Sequence, residues 1–243
     1  MKKIIILAGV FVLVICFNLG TQPLARAEKD DIKLKTFVHY PKEPGKPTQV
    51  SKCTPTANDQ VNDYLVAGWQ MPVNGMSYKL NYSTKPKNLS NTDVQNAIFN
   101  SFASWSAADS NQIFNYTGTS TAKTPRYDGS NVILWKSISS SAIAITYVWY
   151  NISTGQLVES DTAFNSRYKW SISIPTAGDC GGATGTYDLQ NIGTHEFGHW
   201  AGLDDLYASI DKDLTMYGYG ETTELKKDSL GLGDISGVNA IAP

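Results

Sequence analysis

Two histidines and several acids stand close together in the segment "GTHEFGHWAGLDDLY", residues 193–207. His195 and His199 are four residues apart, so on a helix their side chains project from one face and can bind one metal ion together. Glu196 would lie beside that ion without ligating it, as a carboxylate that can take a proton from water and pass it to a leaving amine. His-Glu-x-x-His on a helix therefore predicts a catalytic zinc site suited to the hydrolysis of amide bonds.

Two protein ligands do not complete a catalytic zinc site, and the residues after the predicted helix offer a third. Gly202 can adopt the left-handed conformation that ends a helix and reverses the chain. Asp205 follows three residues later, and two histidines with one carboxylate make a known catalytic zinc set. Asp204 is the alternative third ligand. His39, the remaining histidine of the chain, lies in the N-terminal arm, and we interpret it as a surface residue, with contact to the metal as the alternative.

Helical patterns account for three segments. A long helix is predicted in "LSNTDVQNAIFNSFASWSAAD", residues 89–109, where Ser90 and Asp93 form a capping box and apolar residues recur at helical spacing. The active-site helix is predicted from about Asp188 to Ala201. A third helix is predicted from about Asp234 in the C-terminal tail. The apolar positions of the long helix are interpreted as core residues.

Short alternating runs predict strands between the first two helices and before them. A turn built on Asn151 and Gly155 joins two of them and indicates a hairpin. The runs are MSYKLNY, QIFNYTG, NVILWKS, AIAITYVWY, QLVESDTAF and WSISI. Together with the helices they predict an α+β domain.

The first residues predict a secretory signal, because two lysines precede an apolar run and the small residues Ala25 and Ala27 fit a cleavage site. We divide the chain into a signal peptide (1–27), an N-terminal arm or short pro-segment (28–62) and a catalytic domain (63–243). Whether the arm is removed, wraps the domain or blocks the cleft is left open. Cleavage removes three basic residues and no acidic one, so the formal net charge moves from −2 to −5. We expect a secreted, extracellular monomer that has no membrane anchor and binds no nucleic acid.

Signal cleavage leaves Cys53 and Cys180 as the cysteines of the exported chain. Exported proteins meet oxidising conditions, so we predict a disulfide between these two residues. A switch thiol at Cys53 is the alternative.

On these motifs the sequence resembles the metzincin zinc endopeptidases, and among them the short secreted bacterial members of the matrixin group. The family signature His-Glu-x-x-His-x-x-Gly-x-x-His is matched at four positions, and Asp205 replaces the third histidine, as in some metzincins. The four matched positions are His195, Glu196, His199 and Gly202. "DLTMYGYG" is similar to the family's Met-turn and would place Met216 beneath the metal. The likeness covers about residues 63–242, and the family's inhibitory Pro-Arg-Cys-Gly motif is not matched.

The resemblance implies a metzincin-type catalytic domain, with a twisted mixed sheet of about five strands, a long helix, an active-site helix, a Met-turn and a C-terminal helix. It implies a zinc-dependent endopeptidase with one catalytic Zn²⁺ and a peptide or protein substrate. Ile143, Ala144 and Ile145 would then lie on the upper edge strand that pairs with an extended substrate. An ordinary buried strand is the alternative interpretation of that segment.

Two further expectations concern the metal and the activity. Asp128, Glu159 and Asp161 could hold calcium, although isolated acids are more often solvated or help a turn. The competing function is a secreted binding protein on the same fold with weak or no catalysis, which only the departure at Asp205 favours.

Overall fold

The computed structural model describes residues 31–42, 57–174 and 181–241. In chain order their strands and helices are β1 (Ile32–Pro41), β2 (Met76–Leu80), α1 (Asn91–Ala108), β3 (Phe114–Thr119), β4 (Asn131–Lys136), β5 (Ala144–Asn151), β6 (Gln156–Asn165), β7 (Trp170–Ser171), β8 (Tyr187–Asp188), α2 (Leu189–Ala201), β9 (Tyr219–Gly220) and α3 (Leu232–Ala240). The predicted α+β class is confirmed.

Seven of the described strands form one sheet in the order β3-β2-β4-β6-β5-β1-β9. Most neighbouring pairs are parallel, while β5 runs antiparallel to both β6 and β1. The sheet is larger than the predicted five strands because β1 and β9 extend it beyond β5. β7 and β8 form a separate parallel pair, so the predicted strand "WSISI" shortens to two residues.

The hairpin between β5 and β6 is confirmed. The side chain of Asn151 accepts hydrogen bonds from the backbone N–H groups of Ser153 and Thr154, both at 2.9 Å. Gly155 has a φ of 67°, a conformation that glycine adopts without a steric penalty. Local turn chemistry therefore sets the register that brings the two strands together.

Helix α1 is capped as predicted: the Ser90 hydroxyl accepts a hydrogen bond from the backbone N–H of Asp93 at 3.0 Å. The apolar residues at helical spacing, Val94, Ile98, Phe102 and Trp105, are buried. The ring of Phe102 stacks on that of Phe197 in α2 with centroids 3.8 Å apart. The indole of Trp105 donates to the carbonyl of Thr194, also in α2, at 2.8 Å. These contacts hold α1 against the helix that carries the His-Glu-x-x-His motif.

Helix α2 begins and ends where the sequence predicts. The Asp188 carboxylate accepts hydrogen bonds from the N–H groups of Gln190 and Asn191, which caps the N-terminus. Gly202 ends the helix with a φ of 106°. A Cβ at this position would lie 2.6 Å from the carbonyl oxygen of Trp69, so the reversal requires glycine for space as well as for conformation.

Helix α3 starts at Leu232, two residues earlier than predicted, because the side chain of Asp234 accepts a hydrogen bond from the backbone N–H of Gly231 and so caps the first turn. Among the described residues, no helix combines the length and apolarity that a membrane span needs. The signal peptide and the cysteines Cys53 and Cys180 lie outside the described residues, so cleavage and the disulfide stay predictions.

Candidate metal centre

The three predicted metal ligands converge. The Oδ1 atom of Asp205 lies 3.2 Å from Nε2 of His195 and 3.6 Å from Nε2 of His199. All three residues are buried, and none of these three atoms has a hydrogen-bond partner. Buried polar atoms without partners carry a large desolvation cost, which a shared cation would relieve. The donor set therefore fits a divalent metal such as zinc.

Backbone carbonyls orient both histidine rings. Nδ1 of His195 lies 2.8 Å from the carbonyl oxygen of Thr215, and Nδ1 of His199 lies 2.9 Å from that of Leu203. A carbonyl only accepts, so each Nδ1 carries the proton and each Nε2 presents its lone pair to the centre. Burial lowers the pKa of His195 to about 4 and also lowers the pKa of His199. Both rings are thus held in the neutral form that a metal requires.

The two aspartates have different environments. Asp204 is partly exposed, and its Oδ2 atom lies 2.6 Å from the Lys35 ammonium while its Oδ1 atom accepts the backbone N–H of Asp205. Asp205 is buried, and its second oxygen accepts a hydrogen bond from the Tyr207 hydroxyl at 3.2 Å. The arrangement brings Asp205 to the histidines and leaves Asp204 outside the cluster.

The Glu196 carboxylate is fully buried beside the ligands and is held by a chain of hydroxyl groups. The Thr146 hydroxyl donates to Oε2 of Glu196 at 2.6 Å and lies 2.8 Å from the Thr162 hydroxyl. Because Thr146 has one hydroxyl proton, which it donates to Glu196, the hydroxyl of Thr162 must donate to that of Thr146. The oxygen of Thr162 in turn accepts the indole N–H of Trp200 at 3.0 Å. Burial raises the pKa of Glu196 to about 8, against the lowering effect of the Thr146 hydrogen bond.

The predicted Met-turn lies directly under α2. A Cβ at Gly198 would lie only 2.2 Å from the sulfur of Met216, so sulfur and helix backbone are in close contact. The buried carboxylate of Asp234 accepts the backbone N–H groups of Thr215 and Met216 at 2.8 and 3.0 Å. Since the carbonyl of Thr215 orients His195, this turn positions one candidate metal ligand as well as the floor of the site.

His39 is the main departure from the sequence interpretation, which placed it at the surface and was wrong. Its side chain is completely buried, and its ring centroid lies 3.8 Å from that of His195. Nδ1 of His39 lies 3.3 Å from Oε1 of Glu196. The physical reason is that residues 32–41 form β1, which places alternate side chains over the metal centre.

In the full chain β5 is not an edge strand, because β1 pairs with the side opposite β6. Val38 is opposite Ile145 and His39 is opposite Ala144, while the backbone N–H of Ile143 donates to the His39 carbonyl at 2.8 Å. The segment expected to pair with a substrate is thus already paired with the chain's own N-terminal strand.

The acids considered for calcium anchor a loop. Asp161 accepts the backbone N–H groups of Arg126 and Val132 at 2.9 and 2.7 Å, and Glu159 accepts those of Asp128 and Gly129. Within the part of the chain that the structure describes, the only clusters with metal-ligating geometry are those of the histidines. Asp161 and Glu159 therefore stabilise the turn, which is one of the roles weighed for these acids.

Three residues of the site were missed by the sequence interpretation: His39, Thr146 and Tyr207. A signal for His39 exists in "KLKTFVHY", where Lys35, Phe37 and His39 alternate with residues of the other face. Thr146 is a polar residue in the largely apolar run AIAITYVWY. Tyr207 stands two residues after Asp205 and carries no pattern that distinguishes it from a surface tyrosine.

Comparison with protein-family models finds no match to this chain, and comparison with curated proteins finds no significant match.

Proposed function

We propose that the protein is a secreted zinc-dependent endopeptidase. The observation that carries this proposal is the convergence of three buried ligand atoms without hydrogen-bond partners beside a buried glutamate. A structural metal site needs no such carboxylate, whereas hydrolysis needs a base at this position. His195, His199 and Asp205 would hold the metal, and Glu196 would act as the base and then as the acid.

Zinc bound here would lower the pKa of a water molecule and polarise the substrate carbonyl. Glu196 takes a proton from the attacking water as the new carbon–oxygen bond forms. It returns that proton to the amide nitrogen as the carbon–nitrogen bond breaks, which gives a carboxylic acid and an amine. The acid then passes its remaining proton to the amine, so the products leave as a carboxylate and an ammonium. The hydroxyl of Thr146 holds the carboxylate in position for both transfers.

The resemblance to metzincins supports the same function, since the signature residues, the reversal at Gly202 and the turn at Met216 lie together around the centre. A secreted binding protein on this fold is the competing function. The buried Glu196 and its hydroxyl chain argue against it, because a binding protein would gain nothing from a buried carboxylate.

Substituting Glu196→Gln tests the mechanism. The amide keeps the size of the side chain but cannot accept the proton, so peptide cleavage should fall by about 10²-fold or more while zinc content and folding stay close to native. Cleavage of casein and metal content per chain are the measurements. Undiminished cleavage by this variant would contradict the role of Glu196 as the base.

Two matched variants test which aspartate binds the metal. Asp205→Ala should lower zinc affinity by at least about ten-fold, because the carboxylate is the third ligand, whereas Asp204→Ala should leave zinc affinity near native. Zinc titration against a competing chelator measures both. Equal affinities for the two variants would contradict Asp205 as a ligand.

A further inference from the structure

Lys227 is a buried lysine in contact with the Met-turn. It lies in the short 3₁₀ turn Lys226–Asp228, and its side chain has no exposed surface. Lysine is rarely buried without partners, because removing an ammonium from water is costly. The Nζ atom of Lys227 donates to the carbonyl oxygens of Tyr217 and Thr215, the second at 3.5 Å. The partners of this cation are therefore backbone atoms of the turn that lies under the metal centre.

One carbonyl connects Lys227 to His195. The Thr215 carbonyl oxygen that receives Nζ of Lys227 also lies 2.8 Å from Nδ1 of His195. A second contact fixes Lys227 to the same helix, since its backbone N–H donates to Oδ1 of Asn191 at 2.6 Å. Asn191 lies about one turn before His195 in α2. The lysine is thus held against the part of the helix that carries the first candidate ligand.

A second carbonyl connects Lys227 to the segment of Asp205. The residues on either side of Tyr217 form two backbone hydrogen bonds of 2.9 Å with Leu206, the residue after Asp205. The Tyr217 carbonyl, which lies between those bonds, accepts the ammonium of Lys227. A shift of this carbonyl would therefore move the segment that carries the third candidate ligand.

Acidic side chains balance the charge of Lys227. Burial lowers the pKa of Lys227, and the negative charge of Glu224, followed by that of Asp234, acts against that lowering. Asp234 also accepts two backbone N–H groups of the Met-turn. The carboxylate thus holds donors of the turn while the ammonium holds its acceptors, so both kinds of backbone group are satisfied by buried charges.

We propose that Lys227 is a positioning residue that acts on two metal ligands through the Met-turn. Its ammonium fixes the carbonyls of Thr215 and Tyr217. The first carbonyl orients His195, and the second lies in the segment that holds Asp205. The inference rests on the proposed function, because it assigns Lys227 a role toward the same metal centre.

Two effects of removing the charge of Lys227 have opposite signs. An ammonium repels a divalent cation, so loss of the charge alone would raise the affinity for zinc. Loss of the hydrogen bonds would let the two carbonyls move, and changes behind metal ligands typically lower metal affinity by about 10–100-fold. A positioning role therefore predicts a fall in zinc affinity.

Metal binding by the full-length chain provides the test. The native protein is compared with Lys227→Met, Lys227→Gln and Lys226→Met. Lys226 pairs with Asp59, so its substitution removes the same charge from the adjacent residue and is the matched control. Both Lys227 variants should bind zinc at least about ten-fold more weakly in competition with a chelator, and their visible Co²⁺ spectra should change. Lys226→Met should match the native protein in both measurements.

A merely structural role would lower the free energy of unfolding without changing metal binding by the folded chain. Circular dichroism identifies the folded variants, and glutamine retains a donor for one carbonyl if methionine prevents folding. An unchanged or higher zinc affinity in a folded Lys227 variant would overturn the proposal.

The native protein gives a reading that needs no variant. Burial slows the exchange of the Lys227 ammonium protons with water, so lysine labelled with ¹⁵N at Nζ should show a slowly exchanging signal in NMR. Zinc should shift this signal, because the carbonyls that it contacts also position the ligands. A slowly exchanging lysine signal that does not respond to zinc would contradict the coupling.

Peptide cleavage separates this inference from the proposed function. Weaker zinc binding by the Lys227 variants together with cleavage by the native chain supports both. Weaker zinc binding without cleavage by the native chain retains the positioning role and overturns the endopeptidase. Cleavage by the native chain with unchanged zinc binding in the folded variants overturns the role of Lys227 and leaves the endopeptidase standing.

Discussion

Glu196 depends on side chains that other elements supply. The direction of its hydrogen-bond chain, from Trp200 through Thr162 and Thr146, follows from the number of protons each group can donate. As a result, Oε2 of Glu196 accepts the hydrogen bond from Thr146, and Oε1 faces the candidate metal centre. In the proposed mechanism, Oε1 is the oxygen that takes the proton, and it has no hydrogen-bond partner among the described residues.

Thr146→Val should reduce turnover by about ten-fold or more without a comparable change in KM, because a hydrogen bond to a charged group contributes roughly 1.5–3 kcal/mol. Valine keeps the shape of threonine, so zinc content should stay native. Steady-state kinetics of peptide cleavage by the native protein and the variant measure the effect. Ser160→Ala is the control, since this neighbouring buried hydroxyl donates to the carbonyl of Tyr147 and not to Glu196. Equal losses in both variants would contradict a positioning role for Thr146.

The sequence predicted the residues of the His-Glu-x-x-His motif and missed the residues that contact this motif from other parts of the chain. His195, Glu196 and His199 lie within five consecutive positions of one helix, so spacing alone brings them together. Thr146 reaches Glu196 from 50 residues away. Nothing in a single sequence specifies that contact, because it depends on how β5 lies against α2.

Helix α2 can approach the Met-turn only because Gly198 has no side chain. Gly198→Ala would place a methyl group 2.2 Å from the Met216 sulfur and 2.7 Å from the Trp105 ring. Over-packing of this kind should lower the free energy of unfolding by about 1–3 kcal/mol. Urea unfolding measures the loss, and the double variant with Met216→Ala should lose less than the sum of the single variants, whereas full additivity would contradict the contact.

Elements whose limits are set by nearby residues were predicted well. Asp188 and Gly202 bound α2, and Asn151 with Gly155 turns the chain between β5 and β6. β1 was not predicted as a strand of the sheet, because its partners lie more than 100 residues away in the chain. Non-local pairing of this kind leaves only the weak alternation of residues 35, 37 and 39 as a signal.

The molecule as a whole carries a buried acid whose titration should make stability depend on pH. Asp228 is largely buried, its Oδ1 atom has no hydrogen bond, and burial, followed by the charges of Asp188 and Glu224, raises its pKa to about 8. In the unfolded chain an aspartate titrates near a pKa of about 3.9. A raised folded pKa means that folding favours the protonated acid, so this stabilisation is complete below about pH 4 and is lost as pH rises towards 8.

Asp228→Asn should remove that dependence. The free energy of unfolding of the native protein should fall more steeply between about pH 5 and about pH 8 than that of the variant, because asparagine does not ionise. Urea unfolding at both pH values provides the comparison. Parallel changes in the two proteins would show that Asp228 ionises in the folded state as it does in the unfolded chain.

The pairing of β1 with β5 depends on the two strands belonging to one continuous chain. While the chain connects β1 to β5, their pairing is intramolecular and does not depend on the amount of protein. A single cut in that connection would make β1 a separate peptide whose binding falls with dilution. Dilution of the cut protein would then separate β1 from β5 and leave the backbone groups of β5 on that side unpaired.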